Sequence, residues 1–85
     1  MKYITQGSES LDRYQLLISL TRISSEDVKA ALKDYLVTGL ADTTAAAING
    51  VQLSNFTRAL NTLNTVASTI EQIKELDWAR LKSVK

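Results

Sequence analysis

The sequence predicts an all-α fold, a small helical domain of four to five helices, and three observations carry that prediction. Apolar residues recur at steps of three and four along most of the chain, the period of a helix with one buried face. No stretch alternates apolar and polar residues as a half-buried strand requires. There is no proline, and the three glycines, Gly7, Gly39 and Gly50, fall between the periodic stretches rather than within them. With 85 residues the chain forms one domain, since two cores of this total size would be starved. A core this modest often gains stability from self-association.

Residues 1–7 read as a flexible N-terminal arm, residues 8–76 as the domain and residues 77–85 as a C-terminal helical tail. Ser8 or Ser10 caps the first helix by accepting a bond from an unpaired backbone N–H, with Asp12 near its positive end. Leu11, Tyr14, Leu17 and Ile18 share one face, Leu16 and Leu20 widen it, and the helix ends near Thr21. The clearest helix lies in "ISSEDVKAALKDYLVTG". Ser24 or Ser25 caps it, and Glu26 and Asp27 stand in the first turn, where the helix dipole favours anions. Val28, Ala31, Leu32, Tyr35 and Leu36 make its apolar stripe, and Gly39 supplies the left-handed residue that stops it.

A short third helix runs from Asp42 or Thr43 to Ile48, with Asp42 as its cap, three alanines favouring helix, and Asn49-Gly50 ending it. A fourth begins near Ser54 and runs long. Its seam of Leu53, Phe56, Leu60, Leu63, Ala67 and Ile70 alternates steps of three and four, like a heptad repeat, with Ala59, Val66 and Ile73 as a flanking row. That seam serves either the core of the monomer or a partner helix. The tail adds Trp78, Leu81 and Val84, as a final turn or two packing on the domain or on a second subunit.

Composition excludes several functions. Cysteine and histidine are both absent, which removes disulfides, thiolate chemistry, the commonest general base and the commonest zinc ligand. Carboxylate or lysine catalysis stays open in principle, but no close pair of acids marks a substrate cleft, so no enzyme and no cofactor or metal site is expected. The start of the chain lacks a signal-peptide pattern and no window is apolar enough for a membrane span, so a cytoplasmic protein is expected. Ten basic residues against nine acidic ones leave a net charge of +1, and that balance does not announce a nucleic-acid binder.

The break at Asn49-Gly50 nevertheless has the spacing of a helix-turn-helix. Such a motif needs a small residue where the helices touch, a turn residue tolerant of positive φ, and apolar anchors on the inner face. Ala46 lies four before Gly50, Val51 follows it, and Phe56 and Ala59 come six and nine after. The outer face is left with Gln52, Ser54, Asn55, Thr57, Arg58 and Asn61. Asn and Gln bond adenine edges bidentately and Arg does the same to guanine, so these six are the candidate DNA-binding residues. The same pattern also describes an ordinary helical hairpin with a solvated outer face.

The order of elements resembles the PapB-type regulators of bacterial fimbrial adhesin operons. The segment "YQLLISLTRISSEDVKAALKDYLVTG" is similar to that family's Leu-rich helix, Ile-x-Ser cap and closing Lys33-Asp34-Tyr35-Leu36-Val37 with Gly39. "GVQLSNFTRALNTLN" resembles the segment after the family's turn, with Phe56 and Leu60 on matching positions. The resemblance covers about residues 8 to 67. It implies a transcription regulator that self-associates and binds double-stranded, often AT-rich DNA near adhesin promoters, in association with the bacterial nucleoid. On that basis Gln52, Ser54, Asn55, Thr57 and Arg58 hold the DNA-facing positions.

The chain departs from the family where charge matters. Asp42 and Thr43 stand where an Arg-Lys pair is usual, and Thr62 and Thr65 where arginines are. From Asp34 to Ile73 the only cation is Arg58, so a single protomer is expected to bind weakly unless neighbours on the DNA add effective concentration. The terminal cations Lys74, Arg80, Lys82 and Lys85 are further candidates for phosphate contacts. The alternative is an interaction module of the same fold that regulates by hetero-association without touching DNA, with the Leu53–Ile70 seam and the Trp78 tail as partner surface.

Overall fold

The computed structural model describes residues 3–83, with side chains described as far as residue 78. Four α-helices follow in order: α1, Leu11–Ser19; α2, Glu26–Lys33; α3, Asp42–Ile48; and α4, Leu53–Ser83, which alone spans 31 residues. No strand occurs among the described residues. Of the two serines offered for each of the first caps, the second serves. The Ser10 Oγ accepts from the Arg13 N–H at 3.2 Å and the Ser25 Oγ accepts from the Val28 N–H at 3.3 Å. The α3 cap differs from expectation. Ala41 is the capping residue, and Asp42, already in the first turn, accepts from the Thr43 N–H at 2.7 Å.

The stripe on α2 does not end where its α-helical bonding ends. Asp34–Thr38 continues as a single π turn before Gly39, whose φ of +91° stops the chain. A π turn holds one more residue than an α turn, which lets Tyr35 and Leu36 keep facing inward. Leu36 is fully buried beside Leu32, Phe56 and Leu63, the largest fully enclosed side chains. Tyr35 meets the Phe56 ring edge-on, with centroids 5.6 Å apart and planes at 84°, a favoured aromatic geometry. Ala31, Ala45, Ala46, Ala59 and Ala67 are also buried. These small residues let α2 and α3 approach α4 closely.

One expectation about packing is corrected. Leu16 and Leu20 do not widen the buried face of α1; they are 69% and 62% exposed, while Tyr14 and Leu17 carry its packing. The described part of the arm is irregular, as expected, and it makes contacts with the domain. Ile4 joins the core, the Tyr3 N–H donates to the Asn64 Oδ1 at 2.7 Å, and the Gly7 N–H donates to the Tyr35 carbonyl at 2.9 Å. Helix α4 runs through residue 77 unbroken, and Trp78 is exposed. Val84 and the side chain of Leu81 lie outside the described residues. The helix makes the molecule 53 Å long and 22 Å across.

Candidate nucleic-acid interface

The turn between α3 and α4 is built by backbone bonds that glycine makes possible. The Val51 N–H donates to the Ala46 carbonyl at 2.9 Å and the Gly50 N–H to the Ala47 carbonyl at 3.2 Å. This nested pair is a Schellman closure, which needs a left-handed residue next to the cap. Gly50 supplies it, with φ at +67°. Val51 then tucks against the core. The Asn49 side chain adds a clip, its Nδ2 donating to the Ala45 carbonyl at 2.8 Å and to the Asp34 Oδ2 at 2.9 Å. The end of α3 is thereby tied to the start of the π turn.

The Gln52 carbonyl accepts from the Phe56 N–H at 3.0 Å, which opens α4. Phe56, Ala59 and Leu63 face inward, so helical spacing turns the intervening residues out. Gln52, Ser54, Asn55, Thr57, Arg58 and Asn61 are all exposed. They do not form one row. Ser54, Arg58 and Asn61 lie on the outermost stripe, at i, i+4 and i+7. Thr57 turns to one flank, where it and Asn61 line a cleft of about 240 Å³ with Tyr35, Asp42, Leu60 and Asn64. Asn55 falls on the opposite flank by its spacing. Among the described residues no acid pairs with Arg58.

Beyond Asn61 the outer face changes character. The hydroxyls of Thr62, Thr65 and Thr69 donate back to the carbonyls of Arg58, Asn61 and Thr65 at 3.0–3.1 Å, a use of the side chain that ties it to its own helix. Lys74 stands apart from the row of Ser54, Arg58 and Asn61. It pairs with Glu71 at 3.3 Å and stands about 24 Å along the axis from Arg58. The side chains of Arg80 and Lys82, and residue Lys85, lie outside those described. The seam offered as partner surface is core at Phe56, Leu63 and Ala67. Asp42 and Asn64, beside the polar flank, were not among the candidates. Asn64 carried a signal, lying one helical step after Asn61, whereas the position of Asp42 depends on how α3 packs.

Among the described residues no cluster of acids suits a metal ion, and no helix is long and apolar enough to cross a membrane. Two helices joined by a glycine-closed turn, the second presenting a polar row, belong to a small all-α domain whose layout is consistent with a helix-turn-helix. The chain belongs to the PapB family, described as adhesin biosynthesis transcription regulatory proteins, whose pattern matches residues 1–76. It is therefore a regulator of fimbrial adhesin expression by family. The crystal structure of Escherichia coli FocB is similar, at 26% identity and a TM-score of 0.80, over 86% of this chain and 83% of that one. No curated protein matches the sequence.

Proposed function

We propose that the protein regulates a fimbrial adhesin operon by binding double-stranded DNA as a homo-oligomer through the α3–α4 pair. The observation that carries this reading is the row of Ser54, Arg58 and Asn61, exposed directly after the glycine-closed turn, with Arg58 unpaired among the described residues. Phosphate contacts from backbone and polar side chains position the helix. Arg58 and the Asn and Gln side chains then read base edges. Gln52, Asn55 and Thr57 reach the same groove from the ends and flanks of that row. Occupancy of adjacent, AT-rich sites excludes polymerase or a competing regulator.

The test is a gel-shift titration with AT-rich promoter DNA and with random DNA, at two salt concentrations. Wild type is expected to give stepwise, salt-sensitive shifts with promoter preference. Arg58→Ala is expected to weaken promoter binding by about 1–3 kcal/mol without changing the circular dichroism spectrum. Promoter affinity equal to wild type in that variant overturns the assignment of the recognition surface. Absence of any shift at micromolar wild-type protein would instead direct the search to a protein partner.

A further inference from the structure

The cleft of about 240 Å³ beside the polar row is lined by two kinds of surface. Ile4 and Phe56, both buried, and the half-buried Tyr35 and Leu60 give it an apolar floor. Asp42, Thr57 and Asn61 are exposed and form a polar rim. An apolar hollow with a few convergent polar groups is the usual form of a small-molecule site. Its size suits roughly eight to ten non-hydrogen atoms, taking about 30 Å³ for each as in liquid water. The walls are also set in advance, which lowers the cost of binding. Phe56 braces the Tyr35 ring, and the Tyr3 N–H holds the arm to the Asn64 Oδ1 at 2.7 Å.

The rim is unengaged. Of the four threonines in α4, Thr62, Thr65 and Thr69 bond their hydroxyls to their own helix. Thr57 does not, and neither its hydroxyl nor the Asn61 amide has a partner among the described residues. The Asp42 Oδ1 accepts from the Thr43 N–H, while its other carboxylate oxygen is open and no described cation pairs with it. Asp42 is the one charged residue among the described residues of the lining. A carboxylate so placed favours a ligand carrying positive charge. A primary ammonium brings three donors, and the rim offers carboxylate, hydroxyl and amide oxygens to accept them.

We propose that this cleft binds a small primary amine, its ammonium on Asp42 and its apolar or aromatic body against Tyr35, Phe56 and Leu60. Thr57 and Asn61 also belong to the candidate DNA-facing set, so amine and DNA compete there, a coupling that rests on the proposed function. The site itself is tested without DNA. Titrating the isotope-labelled full chain with phenethylamine is expected to move the backbone amide NMR signals of Asp42, Thr57 and Asn61, saturating at millimolar concentration or below. Asp42→Asn keeps an oxygen for the Thr43 N–H, so it is expected to fold as wild type while binding the amine about fivefold or more weakly. Phenylethanol, the same body without the charge, is expected to lose affinity by a similar factor. No saturable shift, shifts spread evenly over the surface, or equal affinity in the variant or for the alcohol overturns the site. In gel shifts, phenethylamine is expected to weaken promoter binding by wild type more than by Asp42→Asn. Equal effects on the two overturn the coupling and leave the cleft standing.

Discussion

At the scale of single residues, Tyr14 carries the clearest test. Its hydroxyl donates to the Lys29 carbonyl at 2.6 Å. Burial, then the nearby charges of Glu26 and Asp34, push its pKa from the ordinary 10.0 up to about 12. A tyrosine whose folded value is raised stabilises the fold fully below its unfolded value and loses that contribution as pH climbs through the folded one. Stability measured by urea unfolding is therefore expected to show a Tyr14-dependent fall between pH 10 and about 12. Tyr14→Phe should lack that fall and cost about 1 kcal/mol at neutral pH through the lost hydrogen bond. Phe56, fully buried and braced by Tyr35, is the more severe position. Phe56→Ala is expected to cost about 3–5 kcal/mol in the same measurement, a large share of what holds a domain this small together.

At the scale of elements, the two helix breaks do different work. The Gly50 turn closes on backbone bonds, while the Asn49 clip ties it to the π turn across the core. If that clip couples the two elements, Asn49→Ala and Asp34→Ala combined should destabilise by less than their separate costs. The expected interaction energy, read by a double-mutant cycle of urea unfolding, is about 1 kcal/mol. The glycine and serine punctuation was legible in the sequence because caps and left-handed residues are local requirements. The π turn was not, since one inserted residue leaves the apolar stripe readable as an ordinary helix. The inner face of α1 was half legible. Period alone cannot choose between Leu16 and Leu17, and the packing of Tyr14 under α2 decides it. No glycine or proline marks residue 77, and α4 continues through it.

At the scale of the whole molecule, a long helix joins a candidate reading surface at one end to a projecting segment at the other. The residue types of the candidate surface were legible because helical spacing fixes what lies opposite Phe56. The division into an outer row and two flanks was not, since it depends on where α3 and the arm come to rest against α4. With Arg58 the single cation between Asp34 and Ile73, the salt dependence of binding per protomer is expected to be shallow. The slope of log affinity against log salt should approach about −1 for each phosphate neutralised, and a steep slope measured on one isolated site would sink that account. The threonine hydroxyls held on their own helix beyond Asn61 carry a further consequence, for information. They leave Gln52 to Asn61 as the stretch with unengaged polar groups, about 13 Å of helix, or roughly four base-pair steps. A word of four letters recurs by chance roughly every few hundred base pairs, far too often to mark one promoter among the competing sites of a genome. On the proposed reading, a protein with so short a vocabulary must find its address in the spacing of repeated words.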